Sequence, residues 1–252
     1  MAANPFKAAI QARRPQVGVW SSLCSPVAAE IVAGAGFDWI LFDTEHSPVE
    51  IAGLPPLLRA AGRGTASAAV RPAWNDPVLL KRILDLGPRT VLIPFIQNAD
   101  EAAAAVAACR YPPAGSRGVA GSTRATAYGR DKSYLQTANE QVCVLAQLET
   151  PTALGNLESI AAVDGIDGVF IGPSDLAASM GHIGLPDHPA VQAAIKDASV
   201  RIAGAGKPAG ILATSPEAAL GYLDEDFTFV AAGVDTAILA RSMDELAKRI
   251  KG

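Results

Sequence analysis

The chain has no apolar stretch approaching the roughly 18 residues of a membrane span, and Met1 to Arg14 has none of the apolar centre that a secretory leader needs. Cysteine is scarce. Cys24, Cys109 and Cys143 are odd in number, show no CxxC spacing and lie in apolar-periodic segments, so they read as buried thiols in a reducing compartment. No run of Lys and Arg forms a basic stripe, and acids and bases are interspersed around a net charge of −4, which argues against a polyanionic partner such as nucleic acid. Gly206-Lys207 is followed by Pro208 and no GxGxxG follows the first β-rich run, which argues against nucleotide cofactors. These absences point to a soluble cytoplasmic protein with neither a nucleic-acid nor a membrane partner.

Half of the 252 residues are apolar, with alanine contributing most of the hydropathy, so a sizeable core is available. The length suits an eight-fold α/β barrel, which takes about 250 residues. A unit of roughly 25 to 35 residues repeats loosely, each a helical pattern ending at glycine and followed by a β-rich run. Eight such runs are read: Val17 to Trp20, Asp38 to Phe42, Ala66 to Val70, Thr90 to Pro94, Val142 to Leu148, Gly168 to Ile171, Ala209 to Leu212 and Thr228 to Ala231. Between them lie amphipathic stretches such as Ser25 to Ala35, Asp76 to Leu86, Ala99 to Cys109 and Pro189 to Ala205. Ser, Asp or Pro opens several of these in capping positions. Strict alternation selects a parallel sheet, and eight units favour a closed (β/α)8 barrel over an open doubly wound sheet, which remains the alternative. No interdomain linker appears, so residues 1–252 read as one domain. Tyr111 to Gln141 is too long for an ordinary connection; it is a lid, a subunit contact or a surface insertion with a short helix.

In a parallel barrel the reacting groups gather where strands end at their carboxyl side. The second run leads into Asp43-Thr44-Glu45-His46, the third into Arg71, the fifth into Gln147 and Glu149, and the sixth into Pro173-Ser174-Asp175. Glu149 and Asp175 are hard carboxylates from neighbouring strand ends and suit an oxygen-preferring cation; Mg²⁺, Mn²⁺ and Co²⁺ are all admissible. The competing reading of each as a helix cap applies best to Asp175. In the turn from Ile171 to Leu176, free N–H groups would face the mouth and could hold a carboxylate. His46 sits among acids that could fix its tautomer, and is read as a general base; His182 and His188 lie in a Gly- and Pro-containing stretch and read as ordinary surface residues. Arg71 supplies permanent charge for a developing enolate oxygen. None of the seven lysines ends a strand at the mouth, which leaves no Schiff-base lysine.

The runs Phe37-Asp38-Trp39, Asp43 to His46, Val91 to Pro94, Tyr111-Pro112-Pro113 with Arg117-Gly118, Ile171 to Leu176 and Gly233-Val234-Asp235 resemble the class II, metal-dependent pyruvate aldolases of the 4-hydroxy-2-oxoheptanedioate aldolase type. The resemblance covers nearly the whole chain. It implies a phosphoenolpyruvate/pyruvate-binding type of barrel, assembled as a homohexamer of paired subunits. It also implies that Glu149 and Asp175 hold the metal, that Arg71 stabilises the enolate, that His46 is the base and that Asp43 is an acid near the aldol hydroxyl. Gln147 and the backbone at Ser174 and Asp175 would contact the pyruvate moiety. Trp20 and Leu212 would flank the aldehyde pocket, although either could equally be core. Asp85 would approach His46 from a neighbouring subunit. Thr44 and Ser174 depart from the glycine and alanine that the family commonly carries, and bear on substrate preference.

The implied reaction is reversible aldol cleavage of a 4-hydroxy-2-oxo acid to pyruvate, or hydroxypyruvate, and an aldehyde, with His46 taking the C4 hydroxyl proton directly or through water. Two rivals stand beside it. One is a lyase acting on acyl-coenzyme A thioesters of malate or citrate type; the other is a non-catalytic barrel in which Glu149 and Asp175 are simple caps.

Overall fold

In a computed structural model, which describes residues 4–252, eight parallel strands close into a barrel in chain order. They are β1 (Gln16–Ser21), β2 (Trp39–Asp43), β3 (Ser67–Arg71), β4 (Thr90–Ile93), β5 (Cys143–Leu148), β6 (Ile166–Ile171), β7 (Ala209–Leu212) and β8 (Phe229–Val234), and β8 pairs with β1. All eight expected runs are strands, and the open-sheet alternative falls. Helices open as the capping residues foretell: Ser25 and Asp76 each accept a hydrogen bond from the first turn of a helix that has proline in its first turn, and Ser215 does the same. No helix among the described residues is long and apolar enough to cross a membrane. The first three residues of the stretch read for a leader, Met1 to Ala3, lie outside the described residues.

Two cores follow from the period-2 alternation of the strands. Outward-facing Ile40, Phe42, Val70, Val91, Val144, Val169, Ile211 and Val230 pack under the helices. Inward-facing Trp20, Trp39, Leu41, Leu92, Leu145, Phe170 and Phe229 fill the barrel. Glycine makes room for the largest of these: a Cβ on Gly18 would stand 2.3 Å from the Trp39 indole, and one on Gly210 2.1 Å from the Phe229 ring. The helix Pro5–Gln11 lies across the amino end of the barrel, where Phe6 meets Trp39 and Phe229 with ring centroids 5.7 Å apart. With the floor plugged, the strands' carboxyl ends form the mouth.

The segment 111–141 carries a short helix, Tyr134–Gln141, and is not a lid over this chain's mouth. It packs at the opposite end, where Arg117 is buried beneath Tyr111, with its guanidinium carbon 4.4 Å from the ring centroid, and pairs with Asp85 at 2.8 Å. The C-terminal helix Asp235–Lys251 barely touches the barrel. Beyond buried Asp235 every residue is exposed, and Leu239, Met243, Leu246 and Ile250 form one apolar seam along it. Cys109 and Cys143 are buried, Cys24 is half-buried and all three are free thiols.

Candidate active site

Sheet register places the first pair of charges. Asp43 and Arg71 are the last residues of β2 and β3 and stand directly opposite each other. Arg71 therefore donates to both Asp43 oxygens, from Nε at 2.9 Å and from Nη2 at 2.7 Å, in the fork geometry that suits a carboxylate. Asp43 also accepts from the Trp20 indole at 3.2 Å and from the Glu45 N–H at 3.0 Å. Burial raises the Asp43 carboxyl, but the Arg71 fork outweighs it and the group lies below its ordinary range. Asp43 is thus an ionised anchor, fully engaged in orienting Arg71 and Trp20.

The third nitrogen of Arg71 lies 2.9 Å from Glu45 Oε2. This is an ion pair by distance only, because the angle is not that of a hydrogen bond and Oε2 has no hydrogen-bond partner. Burial, opposed by Arg71 and reinforced by the charges of Asp43 and Asp175, pushes the Glu45 carboxyl up to about 7. The Trp20 ring lies under the guanidinium, 4.9 Å from its carbon. Sequence reading assigned no role to Glu45, although it lies inside the quoted acidic run. Its neighbour His46 is exposed, with Nε2 3.9 Å from Glu45 Oε2, too far for a hydrogen bond. Glu45 is therefore not the carboxylate that fixes the His46 tautomer: it turns to Arg71 instead.

Glu149 directly follows β5 and is 2 % exposed. Its Oε1 accepts from the Phe95 N–H at 2.8 Å and its Oε2 from Gln147 Nε2 at 2.7 Å. Burial pushes its carboxyl up to about 7; the Gln147 hydrogen bond opposes this, and the charges of Asp175 and Glu45 add to it. Register sets Glu149 beside Gly172, just past β6, where a Cβ would stand 2.5 Å from Glu149 Oε2. Gly172 is also the N-cap of the helix Pro173–Ser179, with no side-chain cap bond, while Thr150 caps the helix after Glu149. Neither Glu149 nor Asp175 is a helix cap, so that reading of them falls.

Asp43, His46, Arg71, Gln147, Glu149, Ser174, Asp175, Trp20 and Leu212 all line one cavity of about 390 Å³ at the mouth. Asp85 does not; it lies at the far end with its carboxylate on Arg117. Thr44 is also outside, its hydroxyl donating to the Arg71 carbonyl at 2.7 Å, so of the two family departures only Ser174 reaches the cavity. Ser22, Ser47, Phe170, Val234 and Thr236 line it too. Of these, Val234 and Thr236 were missed because the eighth run was read as ending at Ala231, three residues early. No lysine lines the cavity, and Lys207 donates to the Ile166 carbonyl at the opposite end. His188 caps the helix Pro189–Gly204 and its ring stacks on His182; neither lines the cavity.

The donor set at Glu149 and Asp175 fits a hard divalent cation. Neither acid pairs with a cationic side chain among the described residues, and the buried Gln147 Oε1 beside them has no hydrogen-bond partner. No group of three His, Cys, Asp or Glu stands in ligating geometry among the described residues, so water or substrate oxygens would complete the shell.

The model of the HpcH/HpaI aldolase/citrate lyase family matches residues 16–242. A pyruvate aldolase of Rhizobium etli is 54% identical over 98% of this chain and 97% of its own length. A 4-hydroxy-2-oxo-heptane-1,7-dioate aldolase of Escherichia coli is 52% identical over 98% of this chain and 94% of its own. The crystal structure of an HpcH/HpaI aldolase/citrate lyase family protein from Burkholderia cenocepacia superposes with a TM-score of 0.96 at 38% identity, covering 99% of this chain and 100% of that one. A barrel with this mouth and this likeness along nearly its whole length belongs to the HpcH/HpaI aldolase/citrate lyase family.

Proposed function

We propose that this chain is a metal-dependent carbon–carbon lyase that cleaves and forms 4-hydroxy-2-oxo acids, taking pyruvate or hydroxypyruvate as the oxo acid and an aldehyde as its partner. The observation that carries the reading is the pair Glu149 and Asp175, without cationic partners, in the same cavity as a rigidly held arginine. The relatives matched over 98% of the chain are named aldolases, which favours this chemistry over a coenzyme A thioester lyase.

A divalent cation, Mg²⁺, Mn²⁺ or Co²⁺, bound by Glu149 and Asp175 would polarise the oxo acid's carbonyl and acidify the adjacent carbon. Arg71, locked by Asp43, would hold positive charge beside the keto oxygen as it becomes negative, and needs no rearrangement to do so. The N–H groups of Ser174 and Asp175, in the first turn after Gly172, have no intrahelical acceptor and receive the substrate carboxylate together with Gln147. His46 takes the proton of the C4 hydroxyl in cleavage and returns it in synthesis. Trp20 and Leu212 wall the side where the aldehyde leaves. The substrates are small molecules, and we read the protein as cytoplasmic, in keeping with its free thiols.

The assembly is read as a homohexamer. The seam of Leu239, Met243, Leu246 and Ile250 is too apolar to remain in water, and a second copy is its natural cover. Asp85 is out of reach of its own chain's mouth, so it acts near His46 only when a neighbouring copy supplies it.

The test is pyruvate release from a 4-hydroxy-2-oxo acid before and after chelation. Activity is expected to vanish with chelator and to return with Mg²⁺, Mn²⁺ or Co²⁺. Full activity in chelator would remove the metal from the reading.

A further inference from the structure

Phe95 occupies backbone that suits a different residue. It follows β4 by two positions and lies at φ +57°, a region that glycine enters freely and an aromatic residue rarely. The conformation aims one group. The Phe95 N–H donates to Glu149 Oε1 at 2.8 Å, and the next N–H, that of Ile96, donates to the Gln147 carbonyl at 3.1 Å. With Gln147 Nε2 on the other oxygen, both ends of the buried carboxylate are held, and its rotation is set.

Glycine would satisfy the backbone, so the ring needs its own explanation. It stacks on Trp74, with centroids 5.6 Å apart and planes 30° from parallel. Trp74 comes from the loop after β3, three residues past Arg71, where the adjacent Asn75 donates to the Glu101 carbonyl at 3.2 Å. Both rings are well exposed and neither lines the cavity. The stack therefore bridges the β3 and β4 loops outside the cavity.

We propose that the Trp74–Phe95 pair is a positioning device for Glu149: the stack holds residue 95 in the left-handed conformation, and the N–H so aimed fixes the carboxylate in the rotation that receives a divalent cation. This rests on the reading of Glu149 as a metal ligand. Strained backbone beside a reacting group is a recurrent way of fixing its geometry, and loss of a partner that orients a metal ligand typically weakens metal binding 10- to 100-fold.

The experiment is calorimetric titration of the full-length protein with Mn²⁺, with circular dichroism and size-exclusion light scattering as checks on fold and assembly. Phe95→Ala and Trp74→Ala are expected to bind Mn²⁺ at least about tenfold more weakly than wild type. Phe95→Tyr, which keeps ring and stack, should bind as wild type does. Phe95→Gly keeps the N–H and takes the conformation freely but loses the stack, so it should fall between Phe95→Tyr and Phe95→Ala. Folded alanine variants with wild-type Mn²⁺ affinity, including any in which only the assembly changes, overturn the proposal while a weakened Glu149→Gln leaves the metal site standing. If Glu149→Gln itself binds as wild type does, the metal site and the proposal fall together. Should the alanine variants not fold, equal affinity of Phe95→Gly and Phe95→Tyr overturns it.

Discussion

At the scale of single residues the site is a set of acids divided by what they face. Asp43 is neutralised by a two-pronged arginine, whereas Glu149 meets only two neutral donors. Glu149→Gln and Asp175→Asn should each lower kcat/KM on the order of 10²- to 10³-fold, the scale for losing one electrostatic stabiliser. Lys207→Ala should leave kcat/KM near wild type and lower stability by only about 1 kcal/mol, because its amine holds the Ile166 carbonyl far from the mouth. The reverse pattern in steady-state kinetics would return Schiff-base chemistry. Asp43 has a folded pKa below its ordinary 3.8, so its contribution to stability is complete above that value and fades as pH falls through the lowered one. Asp43→Asn should therefore cost about 3 kcal/mol at neutral pH. The gap to wild type should narrow once urea melts are run below about pH 4; a gap constant with pH would contradict the assignment.

Among the elements, the strands carry the tightest constraints. Gly18 on β1 and Gly210 on β7 exist so that Trp39 and Phe229 can fill the barrel. Gly18→Ala is expected to destabilise by about 1 to 3 kcal/mol through overpacking, and Trp39→Phe in the same chain should recover part of the loss. Urea titration of the two single variants and the double variant measures the coupling; strict additivity would mean that the indole had moved aside without penalty. The β4 loop shows the other use of local conformation, a bulky residue held where glycine would be expected in order to aim one N–H at Glu149.

For the whole molecule, two consequences follow from what the single chain leaves unmatched. Buried Glu149 and exposed Asp175, neither with a cationic partner among the described residues, mean that a cation bound by the folded state alone should raise the melting temperature. At about 100 times its Kd this adds about 2.7 kcal/mol, and Glu149→Gln should lose most of the increment. If the proposed hexamer buries the seam of the C-terminal helix against another copy, Leu239→Glu with Leu246→Glu should shift light-scattering mass to smaller species without unfolding the barrel. Retention of the full assembly would assign the interface elsewhere.

Much of this was legible in the linear chain because barrels obey short-range rules. Alternating apolar residues, Ser, Asp or Pro before helices and glycine after them are local signals, and they located all eight strands and the polar residues that follow four of them. The strand ends pointed to Glu149, Asp175, Arg71 and His46 as candidates, and the family likeness carried by the linear chain implied the same four. Register and rotation are not local. That Arg71 forks onto Asp43 follows from β2 and β3 pairing end to end, and that Glu45 joins Arg71 and leaves His46 follows from where that guanidinium is held. Gly172 must be bare because Glu149 lies beside it across two strands, and Asp85 proved remote because its helix ends at the barrel's other face. Sequence spacing therefore determined which groups reach the mouth, while only the closed sheet decided which of them touch.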